Sequence, residues 1–331
     1  MANFLIGRIV RGLMTVLLIS VITFLIIQLP PGDYITSYIA EMGSQGSPVS
    51  QEEAANLRAR YGLDEPFVVQ YLMWMGEVVQ GRFGISMEWR RPVADVVGER
   101  MLLTVVMSTA TILLTWAIAL PIGIYSAVRQ YSFGDYLFTS IGFIGLAVPN
   151  FLLSLVVMYI GFAVFGVNVG GLFSPEFANA PWSMARAVDL AAHLPIPALI
   201  LGLSSSAQLI RILRANLIDE LNKPYVVTAL AKGLSPMKAI LKYPVRVALN
   251  PFVSTVGYVL PFVVSGSIIV SLVMGLPTVG PVLYKSLIAQ DMFLAGTIVL
   301  LLGVLTVIGT LISDLLLLWI DPRIRLEVGH G

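Results

Sequence analysis

Residues 218–251 read IDELNKPYVVTALAKGLSPMKAILKYPVRVALNP and form the one long basic interruption late in a very apolar chain. The stretch carries Lys223, Lys232, Lys238, Lys242 and Arg246 against Asp219 and Glu220. Pro224 can open a short helix and Gly233 close it; Ser235 can cap a second with Pro236 at its first position, and Pro244 ends that one. Asn250 and Pro251 then begin a new apolar run. Between two apolar runs, such a helix, turn, helix segment cannot cross a bilayer, because its charges would sit unpaired in hydrocarbon. It must rest on one surface, either on anionic headgroups as a basic amphipathic segment or against a protein partner.

Outward from that stretch, a chain of 331 residues that is 57% hydrophobic and 12% charged, with mean hydropathy +0.88, is an integral membrane protein rather than a soluble domain. Arg8 and Arg11 precede a first apolar run at 13–29, which no small-residue cleavage pattern follows. Five more runs follow at 102–128, 136–165, 194–212, 252–274 and 293–320. Each approaches or exceeds the roughly 20 residues that cross a hydrocarbon core. The predicted fold is therefore all-α with six transmembrane helices.

Pro30, Pro31, Gly32 and Asp33 stop the first span, and a polar region continues to about Arg100. Ser50 and Glu53 make a capping-box pattern ahead of a short helix ending near Gly62. A helix after Pro66 carries Val68, Leu72, Met75 and Val79 on one face. The expected organisation is 1–30 for the N-terminus and first span, 31–100 for a small external helical segment, and 101–331 for a five-span core containing the loop 218–251. Six spans with the N-terminus inside put the basic loop and the C-terminus in the cytoplasm. Arg8, Arg11, Arg129, Arg211, Arg214, the loop cations, Arg323 and Arg325 then lie inside, while the two short outer loops hold Arg186 and Lys285, as the positive-inside rule requires.

Several chemistries lack their parts. There is no cysteine, and His193 and His330 are the two histidines, so no histidine pair can hold a metal on one helix. A net charge of +1 gives no reason for a nucleic-acid partner. No Gly-Lys dipeptide exists for a phosphate-binding loop, so ATP, if it drives this protein, binds another chain. Asp314 is the plain intramembrane charge, within reach of Arg8 or Arg11 as a structural pair; in an ion-coupled secondary carrier it would instead be a proton relay. Asn150 after Pro149, the cluster Ser204, Ser205, Ser206 and Gln208, and Ser265 and Ser267 flanking Gly266 suit a weakly polar translocation path. Helix packing explains the same residues. His193 reads as an interfacial cap, and Trp74, Trp89, Trp116, Trp182 and Trp319 as interfacial anchors.

The run Tyr225, Val226, Val227, Thr228, Ala229, Leu230, Ala231, Lys232, Gly233, Leu234, followed by Asn250 and Pro251, resembles the cytoplasmic loop of binding-protein-dependent ABC importer permeases of the dipeptide, oligopeptide and nickel family. The likeness extends over nearly the whole chain, through Gly62, Leu63, Asp64 and Pro66, Gln70 and Tyr71, Gly81, Gly84 and Ser86, Pro121 and Gly123, Asp135, Pro149 and Phe151, Arg211 and Arg214, Asp291, Asp314, and Asp321 to Arg325. The order is similar to the first of the two permease subunits, the one with the longer external segment. Arg82, Leu230, Tyr243, Ser271 and Thr278 depart from the family pattern.

The resemblance implies a non-enzymatic subunit of the bacterial or archaeal cytoplasmic membrane that pairs with a second homologous permease. It also implies two cytoplasmic ATPases carrying ATP and magnesium, and an external solute-binding protein; no cofactor or metal is expected on this chain. Tyr225, Thr228, Ala229, Ala231, Lys232, Gly233 and Leu234 would couple to the ATPase, and Asn150, Ser205, Gln208 and Ser265 would line the path. Short peptides are the expected cargo, with oligosaccharides or nickel chelates as alternatives.

Overall fold

The computed structural model describes residues 2–28, 34–44, 49–254 and 267–320. The helices there are α1 (Ala2–Gln28), α2 (Tyr34–Ser44), α3 (Gln51–Tyr61), α4 (Phe67–Val79), α5 (Val93–Val128), α6 (Phe133–Ala147), α7 (Asn150–Phe165), α8 (Met184–His193), α9 (Pro195–Leu221), α10 (Pro224–Ala231), α11 (Pro236–Lys242) and α12 (Pro244–Ser254). They continue with α13 (Ser267–Met274), α14 (Val279–Ile288) and α15 (Met292–Ile320). Among the described residues no strand forms beyond an isolated bridge between Ile85 and Pro92. Four helices, α1, α5, α9 and α15, are long and apolar enough to cross a membrane, and up to six spans result if each of the pairs α6 with α7 and α13 with α14 counts as one.

The expected single span at 136–165 is broken. Val148 is extended, as the residue before a proline tends to be, and α7 leaves α6 at 103°. Pro149 has no amide to give the Gly145 carbonyl, and Ser204 of α9 supplies that bond instead, donating its hydroxyl at 2.9 Å. Pro244 ends the second short helix as expected, α11 closing at Lys242, and it also opens α12, since proline fits a first helical turn as readily as it stops a previous one. Asn250, at which the next apolar run of the sequence begins, lies inside α12. The stop at residues 30–33, Ser265, Gly266 and the end 321–331 lie outside the described residues.

The chain divides into two compact units. The first (Met1–Arg8, Val105–Pro277 and Ile308–Gly331) is built round α9, whose buried residues run from Pro197 to Leu217. Its core joins Ala119 and Ala127 of α5, Leu209, Ile210, Leu213 and Leu217 of α9, and Val245, Ala248 and Phe252 of α12. Glycines make the close approaches. A Cβ at Gly123 or Gly145 would stand 2.9 Å and 2.7 Å from side-chain carbons of Leu213 and Leu203, and one at Gly202 would stand 2.6 Å from the Thr115 hydroxyl. Small residues of this kind let helices mesh where lipid gives no hydrophobic drive to associate.

The second unit (Ile9–Thr104 and Thr278–Val307) contains the expected external segment 31–100. Its core holds Phe24, Tyr34, Ile35, Ala54, Trp74, Met87, Met292 and Leu300. As the sequence implied, Ser50 caps α3 by accepting the Glu53 amide at 3.1 Å, and Gly62 ends it at φ 66°, a conformation that glycine adopts without strain. One expectation fails here. Trp74 is 2% exposed and stacks on Phe24, so it is a core residue and no interfacial anchor. Val68, Leu72, Met75 and Val79 share one face of α4 as the spacing implies; Met75 rests against the core while the other three point outward, and Phe67, Tyr71 and Trp74 pack against Phe24.

Candidate coupling loop and translocation path

The basic stretch folds as α10, α11 and α12 in succession. Pro224 sits in the first turn of α10, where its missing amide costs nothing. The helix closes as the Gly233 and Leu234 amides reach back to the carbonyls of Leu230 and Ala229. Gly233 adopts φ 85° with open space around it, so its glycine is required by backbone conformation and not by crowding.

α10 is two-sided. Val226 and Ala229, one turn apart, are buried, whereas Tyr225, Val227, Thr228, Leu230, Ala231, Lys232 and Gly233 are exposed and Leu234 is half-buried. The Tyr225 hydroxyl donates to the Glu220 carboxylate at the end of α9, and Thr228 donates back to the Pro224 carbonyl at 3.0 Å. Of the seven residues named from the sequence, Ala229 thus seats the helix, and Tyr225, Thr228, Ala231 and Lys232 lie on its open side. α11 buries Ala239 completely and rests Ile240 on the core of α5, α9 and α12. The loop is therefore anchored at its C-terminal half and presents its N-terminal half.

A clamp that sequence reasoning left without a role lies nearby. Asp135, near the N-terminus of α6 and 3% exposed, receives Arg214 of α9 through Nε at 3.0 Å and Nη2 at 2.8 Å, together with the Tyr131 amide at 2.9 Å. A fork-to-carboxylate pair of this geometry fixes both distance and rotation between two helices. The signal was present as a carboxylate in a first helical turn after the capping Ser132, but its partner is 79 residues away.

The path residues are only partly brought together. Ser204 donates to the Asn150 side-chain carbonyl at 3.2 Å as well as to Gly145, so Asn150 is tied to α9 at the break between α6 and α7. Ser205 is buried and Gln208 exposed, on different sides of α9. Ser204 and Gln208, one turn apart, share a face of α9, and Ser204 is the one in contact with Asn150. Asp314 stands 3.0 Å from Arg8. Among the described residues no cluster of three or more metal-ligating side chains occurs.

In the second unit, Asp291 precedes α15 and is fully buried. It accepts the Ser86 hydroxyl at 2.5 Å, the Glu88 amide at 3.1 Å and the Leu294 amide at 3.1 Å. Burial pushes its carboxyl above the usual range, against the pull of these donors. In the first unit, the segment ahead of α8 packs the buried Arg186 between Phe173 and Trp182, 4.6 Å and 4.7 Å from the ring centres. His193 ends α8 with Nδ1 2.8 Å from the Asp189 carbonyl.

Comparison with known proteins yields a consistent picture. The family described as binding-protein-dependent transport system inner membrane component matches residues 119–326. Its companion N-terminal family matches residues 1–108. Among curated proteins, the oligopeptide transport system permease protein AppB of Bacillus subtilis is 33% identical over 328 residues, covering 98% of this chain and 100% of its own length. The glutathione transport system permease protein GsiC of Salmonella typhimurium is 31% identical over 325 residues, covering 98% and 99%. Among solved structures, an inward-facing MetNI methionine ABC transporter has a similar fold, with TM-score 0.52 and 17% identity over 68% of this chain and 96% of that one.

Proposed function

We propose, for a chain that belongs to the binding-protein-dependent transport system inner membrane components and is a permease subunit of an ABC importer, that it forms with a second homologous permease the path for short peptides. Relatives named for oligopeptides and for glutathione, itself a short peptide, support that cargo. In this reading the subunit has six spans with both termini cytoplasmic, α6 with α7 completing one crossing, α13 belonging to another and α14 lying in the outer loop that holds Lys285. Residues 31–100 form the external segment, 101–331 the five-span core, and 218–251 face the cytoplasm. Two ATPases bind ATP and magnesium, and an external binding protein delivers the peptide.

The observation that carries the mechanism is the two-sidedness of α10. Its outward residues Tyr225, Val227 and Leu230 are apolar over much of their surface, and Lys223 and Lys232 stand at its ends. A protein groove desolvates such a face better than charged headgroups do. Closure of the ATPase dimer would push α10, and α11 and α12, packed onto α9, would carry that displacement along the core as rigid bodies. Asn150, Ser204 and Gln208 offer uncharged contacts to a peptide in passage, enough to wet the path without trapping cargo. Ser205 and Ser265 remain candidates for the same path.

Val227→Arg tests the coupling assignment, because it leaves the buried side of α10 intact. The expected result is at least about tenfold loss of ATPase subunits co-purifying with the permease, with an unchanged melting temperature. Full assembly and full uptake would refute the assignment. Mass spectrometry of the ligand retained by the cognate binding protein decides the cargo: a short peptide is expected, and an oligosaccharide or nickel chelate would overturn that part.

A further inference from the structure

One helix of the second unit leaves a wholly apolar edge uncovered. Along α4, FVVQYLMWMGEVV, helical spacing puts Gln70 and Glu77 on one edge and Val68, Leu72 and Val79 on the opposite edge. These three are 63%, 61% and 79% exposed. Between the two edges, Phe67, Tyr71 and Trp74 face Phe24 of α1 with ring centres 5.0 to 5.9 Å away. The nearby charges lie off the stripe: Asp64 and Glu65 precede the helix, and Glu77 is paired with Arg82 on the polar edge.

The contacts with α1 fix the depth and roll of α4. The candidate span in α1 is Ile6–Gln28. Gln28, its last residue, donates to the Gln70 side-chain carbonyl at 3.0 Å, and the Gln70 amide group turns to the carbonyls of Leu63 and Glu65. Tyr71, on the other flank, meets the Ser20 hydroxyl at 2.8 Å. At 1.5 Å rise per residue, Phe24 lies ~6 Å and Ser20 ~12 Å inside the end of the span. The Gln70 edge therefore faces the span's end, and the Val68, Leu72 and Val79 edge faces its middle.

We infer that α4 lies flat in the leaflet at the C-terminal end of α1, with the Val68, Leu72 and Val79 stripe against lipid acyl chains. The inference rests on reading α1 as a membrane span. Interfacial amphipathic helices settle ~5–10 Å into the headgroup and acyl boundary, which matches a crossing at Phe24. A soluble partner could reach this stripe only by passing below the Gln70 edge into that boundary. The segment 31–100 is thus moored in the bilayer by its second half, through a helix with no charge on its lipid side.

The chain has no cysteine, so nitroxides can be placed singly. The assembled transporter in phosphatidylethanolamine and phosphatidylglycerol vesicles is labelled at Val68→Cys, Leu72→Cys, Val79→Cys, Asp64→Cys and, within α1, Leu18→Cys. Collision with oxygen is expected to exceed collision with a water-soluble nickel chelate several-fold at 68, 72 and 79, and the order is expected to reverse at 64. Chelate access at 72 equal to that at 64 would overturn the inference in favour of water or a soluble partner. Suppression of both collisions would overturn it in favour of a protein contact such as the second permease. If Leu18→Cys is shielded from chelate while Leu72→Cys is not, only the placement of α4 fails. Free chelate access at both would remove the span itself.

Discussion

The Gly145 carbonyl shows how one side chain can replace what the backbone withdraws. Pro149 removes the amide that would have bonded it, and the Ser204 hydroxyl takes that place while also reaching Asn150. Ser204→Ala leaves a carbonyl and a side-chain amide without that donor, and about 1–2 kcal/mol of stability should be lost. A thermal melt of the purified complex reads this directly, and Ser204→Thr should recover most of it. The sequence reveals the orphaned carbonyl, because proline at a fixed position names it. It does not reveal the donor, because Ser204, Ser205 and Ser206 are chemically equal and only packing selects one.

Between elements, the Asp135 and Arg214 fork holds α6 to α9. Asp135→Ala would leave a guanidinium that is 24% exposed without its carboxylate, and the expected cost is about 3 kcal/mol. The double variant Asp135→Ala with Arg214→Met should recover part of that loss; equal melting temperatures for both variants would show that the pair is not coupled. At this scale, what the sequence discloses depends on range. Ser50, Gly62, Pro224 and Gly233 act within one turn of chain, and their helix ends fall where local chemistry puts them. Pro244 ends α11 as its chemistry implies, but a proline that stops one helix does not disclose that another opens at the same residue. Along α4, periodicity finds an apolar edge but does not disclose what covers it.

For the whole molecule, two titratable groups give opposite kinds of prediction. The native state holds the proton of Asp291 more tightly than the unfolded chain does. The resulting stability is fully present below the ordinary value of 3.8 and is lost as pH rises through the raised native value. The melting temperature of the natural protein minus that of Asp291→Asn should therefore be largest in acid and shrink as pH rises. Asp314 tests the energy source. Asp314→Asn breaks the ion pair with Arg8, so peptide uptake per folded transporter is expected to survive while the melting temperature falls. An ion-driven carrier would instead lose uptake and keep its fold.

The mesh around α9 carries one more consequence. Gly123 and Gly145 receive Leu213 and Leu203, and Gly202 receives Thr115. A helix toothed into its neighbours in this way behaves as a keyed shaft, unable to spin or slip alone. Any stroke delivered at its end must turn the whole train together, and even a single added methyl at Gly202 would jam the gear before it altered the cargo.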